Sequence, residues 1–271
     1  MAFVHLHTHT EYSLLDGSNK ITEYVARVKE LGMNAAAITD HGVMYGVIDF
    51  YKECKKQGIR PILGCEVYVT PGSRFDRELS HGEDRYYHLV LLAENNTGYQ
   101  NLIKIVSAGF VDGYYYKPRV DMEILQQYHE GIIALSACLA GEVPRFLQRG
   151  MYDEAKEIAL KHQELFGKNN YFLELQSHGI DAQELVNQQL VRMSKETGIG
   201  LVCTNDIHYT YAEDAAPHDV LLCIQTGKKL ADEDRMRYEW PVFCEIRAAD
   251  GRIVSICTTS TCKHTADCRS L

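Results

Sequence analysis

The sequence predicts an α/β fold in which about seven strand–helix units form a closed or distorted barrel. Short apolar runs with strand character alternate with segments of helical period, and no linker-like composition interrupts them before residue 238. Such alternation indicates parallel βαβ units. With 271 residues, 45% hydrophobic and 24% charged, the chain has the composition of a globular domain with a sizeable core. Because spacing alone does not show that a sheet closes, an open doubly wound sheet is the alternative.

The predicted elements follow from the period of the apolar residues. After an opening strand that contains His5–His9, strands are predicted at 35–39, 61–69, 88–93, 131–135, 171–175 and 200–204. Helices are predicted at 21–31, 43–58, 99–108, 121–129, 152–166, 182–197 and 213–225. The charged, glycine-bearing stretch Pro71–Arg85 is predicted to be a loop.

Charge and composition limit the kinds of partner. A net charge of -9 argues against a nucleic-acid binder with a broad basic surface, although bound divalent metals could supply positive charge locally. No apolar run approaches the roughly 18 residues of a membrane span, so we expect no membrane association. The sequence shows no signal peptide, so its nine cysteines are expected to be reduced thiols and the protein cytoplasmic.

The tail differs from the rest. Residues 239–271 are rich in Thr, Ser and Cys and show no clear period, so they are predicted to be poorly ordered. A zinc knot built from Cys257, Cys262, His264 and Cys268 is the functional alternative, but the spacing fits no CxxC pairing.

Three histidines alternate in the opening stretch, at His5, His7 and His9. On a strand, alternation places them on one side, where imidazoles two residues apart can reach a single cation such as zinc, iron or manganese. A solvated, His-rich N-terminus is the structural alternative. The neighbouring apolar residues Phe3, Val4 and Leu6 favour the buried strand.

Further polar residues stand at the edges of the other predicted strands, namely Asp40, His41, Glu66, His88, Cys138, Asp206 and His208. Each has a structural explanation: an aspartate can cap a helix, and a histidine or cysteine can fill a core. Together they indicate one site, because a barrel brings its strand ends to one face. Imidazoles, carboxylates and a thiolate suit two or more divalent cations, and Glu66 could bridge neighbouring metals. Closely spaced metals activate a water and stabilise phosphoryl transfer, which indicates phosphoester hydrolysis.

The amino-acid sequences of these segments resemble the motifs of a known family. His7-Thr8-His9, Thr39-Asp40-His41-Gly42, Gly64-Cys65-Glu66, His88–Ala93 and Thr204–His208 are similar to the motifs of the polymerase and histidinol phosphatase (PHP) domain. Tyr12–Gly17, Pro61–Gly64 and Asn95–Leu102 resemble more closely the N-terminal PHP domain of bacterial DNA polymerase III alpha subunits. The resemblance covers about residues 2–238.

The resemblance implies a distorted (β/α)7 barrel with three divalent metal ions, Zn²⁺ or Mn²⁺, with Mg²⁺ or Fe²⁺ as alternatives. Carried over by position, the ligands are His7, His9, Asp16, His41, Glu66, His88, Cys138, Asp206 and His208. The resemblance adds Asp16 to the ligands, a residue that the sequence pattern alone would assign to a turn. It also assigns Asp40 to a supporting role, orienting an imidazole, and leaves His5 to local packing.

The family's alpha subunits imply a metal-dependent 3′–5′ exonuclease of the proofreading type, acting on a DNA 3′ end, because every ligand position here holds a suitable residue. The alternative is a catalytically silent scaffold that the metals stabilise. A metal-dependent amidohydrolase also opens with His-x-His, but no lysine stands at a suitable strand end to bridge its metals.

Substrate contacts are predicted more weakly than the ligands. In Tyr114–Arg119, Lys117 and Arg119 are candidates for the phosphate backbone and the tyrosines for stacking on bases, against an ordinary exposed loop. Gln176 and His178 follow a predicted strand and are further candidates.

The domain prediction is a PHP phosphoesterase domain over residues 1–238 and a divergent tail over 239–271, from truncation or a frameshift. The palm, fingers and thumb of a polymerase are not in this sequence, so it is not expected to polymerise DNA. In the intact parent, a DNA-directed DNA polymerase, the expected partners are the polymerase core and other replisome subunits.

Overall fold

The computed structural model describes residues 3–78, 84–238 and 242–244. The strands are β1 Ala35–Ile38, β2 Arg60–Val69, β3 Tyr87–Ala93, β4 Tyr114–Tyr115, β5 Lys117–Val120, β6 Ile132–Leu135, β7 Tyr171–Leu175 and β8 Gly200–Cys203. The helices are α1 Ile21–Glu30, α2 Val47–Gln57, α3 Asn96–Val111, α4 Met122–Tyr128, α5 Glu142–Gln148, α6 Tyr152–Phe166, α7 Asp181–Thr197 and α8 Ala215–Thr226, with a 3₁₀ turn at Ala212–Asp214.

One sheet contains all eight strands, in the order β4-β5-β2-β3-β6-β7-β8, with β1 on β2. The opening stretch lies between β1 and the segment after β8. The carbonyl of its residue His5 accepts a hydrogen bond from the Ala37 N–H at 3.0 Å, and the N–H of its residue His9 donates to the Ile207 carbonyl at 2.8 Å. These contacts curl the sheet on itself, and the predicted α/β class with a distorted barrel is confirmed.

The strands are not all parallel, which corrects the expectation of repeated parallel βαβ units. β3 runs antiparallel to both of its neighbours, β2 and β6, whereas β1–β2, β6–β7 and β7–β8 are parallel. The described part of the β2–β3 connection contains no helix. Without a crossover helix, consecutive strands join as an antiparallel pair.

Alternating side chains of the sheet build two hydrophobic layers. In β3, Leu89 and Leu91 pack outward in a cluster that includes residues of α3, α5, α6 and α7, whereas Val90 and Leu92 pack inside the curl. β6 divides in the same way, with Ile132 and Ile133 on opposite sides. A third cluster joins α1, α2 and β1. The curled sheet is therefore covered on both faces, and its strand ends are held rigidly.

Two short elements were not predicted. The β4–β5 hairpin spans Tyr114–Val120, which reads as a loop in sequence because β4 has two residues and its turn residue Tyr116 has a φ of 63°. Helix α5 contains Pro144 in its first turn, where proline's missing N–H removes no helical hydrogen bond.

Three residues of the predicted tail lie against the domain. The His208 N–H donates to the Val242 carbonyl at 2.8 Å, Phe243 pairs with Tyr209, and Cys244 is buried. The rest of the tail, residues 239–241 and 245–271, lies outside the described residues, so for these positions the prediction of poor order stays a prediction. Across the described helices, none combines the length and the apolar character needed to cross a membrane.

Candidate metal centre

Glu66 lies at the centre of the predicted ligands. Its Oε1 is 3.1 Å from His7 Nε2 and 2.9 Å from His88 Nδ1, and its Oε2 is 2.6 Å from His41 Nδ1 and 3.9 Å from His9 Nε2. Glu66 belongs to β2, His88 to β3, and His7 and His9 to the opening stretch, so the curl of the sheet produces this cluster. One carboxylate therefore faces four imidazoles, which come from three separate segments of the chain.

Two aspartates extend the cluster on either side. Asp206 Oδ1 lies 3.1 Å from His9 Nε2, 3.4 Å from His7 Nε2 and 3.7 Å from His208 Nδ1. Asp16 lies 3.2 Å from His41 Nε2 and 3.8 Å from His208 Nε2.

The ninth predicted ligand is Cys138, whose Sγ is 3.9 Å from His88 Nδ1. All nine residues are therefore brought together, with Asp16 coming from a turn, His7 and His9 from the opening stretch, and the others from β2, β3 or the segments that follow β1, β6 and β8.

The backbone is strained where it delivers these side chains. Among the described residues, four non-glycine residues have positive φ, and three of them are Asp206 (47°), Leu15 (62°), next to Asp16, and Ala137 (63°), next to Cys138. Such conformations are uncommon and cluster at functional sites.

Burial distinguishes a floor from a rim. The side chains of His7, His9 and Glu66 are 0–1% exposed, whereas those of His41, Asp16, Asp206 and His88 are 13–16% exposed. The rim groups are the ones that a substrate entering from solvent would meet.

The electrostatics of the floor favour bound positive charge. Burial raises the pKa of the Glu66 carboxyl, but His88 and His41 outweigh it and hold that pKa well below its usual range. The pKa of Asp206 is likewise lowered despite burial, chiefly by His7 and His208. Both carboxylates are therefore ionised. A buried anion without a counter-charge is costly, so this floor suits cations.

The imidazoles divide into two kinds. Burial lowers the pKa of His9 to about 3, with repulsion from His41 and His208 adding to it, so His9 is a neutral ring able to donate a lone pair to a metal. Burial also opposes the protonation of His41, but Glu66 and Asp16 outweigh it and raise its pKa to about 10. The pKa of the Cys138 thiol is raised by burial and by the carboxylates of Asp206 and Glu66. A bound cation reverses the effect on the thiol, because it stabilises the thiolate.

The polar atoms of the floor fit divalent metals. On the floor, His7 Nε2 and both carboxylate oxygens of Glu66 are buried and lack a partner in hydrogen-bond geometry, as do both ring nitrogens of the rim residue His41, although all of them lie at ion-pair distance. Buried polar atoms are normally satisfied, and lone pairs that converge without hydrogen bonds are those a metal takes up.

Three overlapping triads keep their ligand atoms within 4.8 Å of one another. They are His9–His41–His208, His7–His9–Glu66 and His41–Glu66–His88.

Asp40 supports the turn that presents Asp16. It accepts hydrogen bonds from the Thr10 N–H at 2.6 Å, the Thr10 hydroxyl at 2.8 Å and the Ser13 hydroxyl at 2.7 Å. The supporting role predicted for Asp40 is therefore indirect, since it reaches His9 only through Ser13, whose Oγ is 3.4 Å from His9 Nδ1. His5 is buried with its ring edge-on to Phe3 at 4.9 Å, a packing position.

Glu174 is a residue that the sequence reasoning missed. Its Oε1 accepts a hydrogen bond from His7 Nδ1 at 2.7 Å, from Gln176 Nε2 at 3.0 Å and from the Thr204 hydroxyl. This bond places the His7 proton on Nδ1 and leaves Nε2 facing Glu66, as carboxylates do behind metal-binding histidines. The signal was a lone charged residue within the apolar strand Tyr171–Leu175.

The residues predicted to contact the substrate do not lie together as the predicted ligands do. Arg119 is fully buried, and its guanidinium donates to the carbonyls of Gly113, Arg74 and Asp76, so it organises the loop around residue 75 and cannot meet a phosphate from solvent. Lys117 is half-buried with its Nζ 5.3 Å from the centre of the Tyr68 ring, which itself lies against His88.

Gln176 and His178 are buried beneath the cluster rather than exposed at its mouth. Gln176 Nε2 contacts Glu174, and His178 contacts Gln183 and the Asn205 carbonyl, which lies next to Asp206. Their positions indicate support of the cluster, and direct contact with a substrate stays a prediction.

Comparison with known proteins places these features in a family. A PHP domain model matches residues 5–178. The chain is 49% identical over 243 residues to the DNA polymerase III subunit alpha of Treponema pallidum (strain Nichols), covering 90% of this chain and 21% of the relative. It is 44% identical over 246 residues to that of Thermus aquaticus, covering 90% and 20%. The chain thus spans about a fifth of the length of these curated relatives.

Among solved structures, an amidohydrolase from Chromobacterium violaceum with bound sulfate and no metal matches with a TM-score of 0.51 at 16% identity, over 79% of this chain and 89% of that one. At this identity the likeness concerns the fold alone. The family match covers more than half of the chain, and the resemblance to DNA polymerase III alpha subunits extends over about 90% of it. This chain therefore belongs to the PHP domain family.

Proposed function

We propose that this PHP domain holds three divalent cations, Zn²⁺ or Mn²⁺, and hydrolyses phosphodiester bonds at the 3′ end of DNA, as a proofreading-type exonuclease of a cytoplasmic DNA polymerase III alpha subunit. The observation that carries the proposal is the buried Glu66 carboxylate facing four imidazoles, with Asp16, Asp206, His208 and Cys138 completing a connected set. The relatives named DNA polymerase III subunit alpha support the choice of DNA as substrate.

The residues present can divide the work of such a site. His7, His9, His41, His88, His208, Glu66, Asp16, Asp206 and Cys138 would hold the cations. Bound divalent cations supply Lewis acidity and lower the pKa of a coordinated water. The partly exposed rim groups Asp16, Asp206 and His41 would meet an entering phosphate, and Lys117, beside Tyr68, would add a positive charge near His88.

A scaffold role is the second candidate, and one observation favours it. The cluster ties together the opening stretch, β2, β3 and the segment after β8, so bound metals would stabilise the barrel without any catalysis. In an intact parent the domain would then support the polymerase core and its replisome contacts.

A nuclease assay separates the two candidates. The purified 271-residue chain, with its metal content measured independently, is incubated with a 3′-labelled primer in Zn²⁺ or Mn²⁺. We expect loss of the label, and its abolition in Asp206→Asn but not in the control Asp153→Asn, whose side chain is exposed on α6. A metal-filled chain that leaves the primer intact refutes the catalytic proposal, and a metal-dependent rise in melting temperature would then support the scaffold.

A further inference from the structure

A cleft of about 350 Å³ lies next to the metal cluster, between α8 and the segment around residue 237. Its lining includes Ala215, Ala216, His218, Leu222, Arg237 and Tyr238. The volume is at the lower end of small-molecule sites, which run from about 300 to 1,000 Å³. It suits one nucleotide and is too small for a base pair.

Tyr238 forms the wall between this nucleotide-sized cleft and the metal cluster. Its ring centre is 5.0 Å from that of His208, and its hydroxyl donates to Asp16 Oδ1 at 3.4 Å. On its other side it stacks on His218, with ring centres 5.3 Å apart and planes 13° from parallel. His218 in turn donates from Nε2 to the Asp16 carbonyl at 2.7 Å. A ligand in the cleft is therefore separated from two predicted metal ligands by a single aromatic ring.

Of the two arginines that line the cleft, Arg237 is the one available to bind an anion. Arg235 is paired with both carboxylate oxygens of Asp219, one of them at 2.7 Å, so its charge is neutralised. Arg237 is exposed, donates to the backbone carbonyl of Asp232 at 3.2 Å, and has no acidic side chain at ion-pair distance within the described residues. Arg237 is close enough to Asp219 to lower the pKa of that carboxyl, but within the described residues Asp219 forms its ion pair with Arg235, so the Arg237 guanidinium can meet a phosphate beside the cluster of this acidic chain.

The rest of the lining is apolar or aromatic. Ala215 and Ala216 present small side chains from the first turn of α8, and Leu222 is buried one and a half turns further on. The Tyr238 ring already contacts His208 and His218, so the surface that these small and apolar side chains offer a base lies beside the ring rather than on its face.

We propose that this cleft binds a single unpaired nucleotide of the substrate strand, adjacent to the scissile phosphate, with its base packed on Ala216 beside Tyr238 and its phosphate on Arg237. The inference rests on the proposed function for its connection to hydrolysis, but not for the binding itself. It also explains how a strongly acidic domain would engage a single strand: through one nucleotide beside the metal site rather than through an extended basic surface.

The test uses the full chain in EDTA, so that phosphate cannot bind through metals. Binding of dAMP and of inorganic phosphate is measured by NMR line broadening or calorimetry. We expect dAMP to bind at least tenfold more tightly than inorganic phosphate. Arg237→Ala should weaken dAMP binding about tenfold, the usual effect of losing a charged hydrogen bond. The control Arg145→Ala removes an exposed guanidinium on α5 that does not line the cleft, and should change nothing.

A second variant fills the cleft without touching the cluster. Ala216 is exposed, so Ala216→Trp should leave the melting temperature unchanged while abolishing the preference for dAMP over phosphate. Equal binding of dAMP and phosphate by the parent chain, or parent-like dAMP binding by Ala216→Trp, overturns the proposal.

The nuclease assay gives a separate readout. If the chain cleaves DNA but Arg237→Ala and Ala216→Trp keep the parent KM for a single-stranded oligonucleotide, the cleft assignment is wrong although the proposed function stands. If no cleavage is seen but dAMP still binds in EDTA with the expected variant pattern, the cleft stands and only the proposed function fails.

Discussion

Replacing Glu174 by glutamine tests whether a residue outside the predicted ligand set controls metal binding. Glu174 is buried behind His7, and its Oε1 accepts the His7 Nδ1 hydrogen bond at 2.7 Å, with both side chains inaccessible to solvent. The glutamine side chain would keep the volume and one acceptor oxygen but remove the negative charge. The His7 ring would then be less basic and less firmly oriented, because its partner is a neutral amide.

The expected size of the effect follows from the geometry. Partners that hydrogen-bond to metal-binding histidines typically contribute about 10–100-fold to metal affinity. Glu174→Gln preserves the bond and loses the charge, so we expect about a tenfold loss, or about 1.4 kcal/mol. Glu174→Ala removes the bond and leaves a cavity around Thr204 and Gln176, so we expect about a hundredfold loss, or about 3 kcal/mol.

Metal affinity is measured by competition with a chelator at fixed pH, for Mn²⁺ and Zn²⁺ separately. Glu142→Gln is the matched control, since Glu142 is a half-buried carboxylate whose pKa is raised by burial and whose ion-pair partner is His162, at 3.9 Å, rather than a predicted ligand. Unchanged affinity in Glu174→Gln, with the variant folded, would show that the reasoning about His7 is wrong. A loss as large in the Glu142 control would show that the effect is general destabilisation.

The remaining predictions concern stability. Metal at about 100 times its Kd should stabilise the chain by about 2.7 kcal/mol, raising the melting temperature by roughly 5–10 °C over an EDTA-treated sample; identical melting curves would contradict a folded-state metal site. Asp40→Asn should lower the free energy of unfolding in urea by about 2–4 kcal/mol, because the single oxygen of an amide cannot accept both hydrogen bonds from Thr10 and the one from Ser13. A loss below about 1 kcal/mol would contradict this role of Asp40. Burial lowers the pKa of His162 to about 4, below the unfolded value of about 6.5, so stability from its neutral form is present above about pH 6.5 and is lost as pH falls, by about 2 kcal/mol at pH 5. Among the described residues, only Glu142 places a charged group near His162, at 3.9 Å. His162→Gln should reduce the difference in unfolding free energy between pH 7.5 and pH 5. A variant whose stability falls with pH as steeply as that of the parent would refute the assignment to His162.

The strand-end residues could be predicted because they depend on one physical rule. Strands of a curled sheet bring their ends to one face, so a polar residue within an apolar run or at either end of it is a candidate wherever the run lies in the chain. His7, Glu66 and His88 were found in this way, and the structure places both imidazoles within 3.1 Å of the Glu66 carboxylate. Asp16 could not be found by this rule, because it lies in a turn. Aspartate is common in turns simply because its side chain hydrogen-bonds to the nearby backbone. Only the resemblance to the family selected it.

Residues that depend on tertiary contacts were beyond sequence reasoning. Arg119 reads as an exposed cation, but the loop around residue 75 folds over it and offers carbonyls to its guanidinium. Nothing local to Lys117–Val120 predicts that loop. The antiparallel direction of β3 was missed for a similar reason, since the period of apolar residues reports burial and not strand direction. Glu174 was visible as a lone charge in an apolar strand, but its partner is 167 positions away.

The arrangement of the cluster implies that folding and metal binding are coupled. Glu66 collects imidazoles from the opening stretch, from the segment after β1 and from β3, while Asp206 adds the segment after β8. Converging carboxylates and protonated imidazoles already attract one another, so the pocket can form before a metal arrives. His7 Nε2 and both Glu66 oxygens nevertheless lack hydrogen-bond partners, and their desolvation is offset fully only by a cation. A metal that fills this floor would therefore lock both edges of the curled sheet together, so a catalytic and a stabilising role draw on the same contacts. Metal-dependent stability alone cannot distinguish them, and cleavage of DNA by a metal-filled chain is the decisive observation.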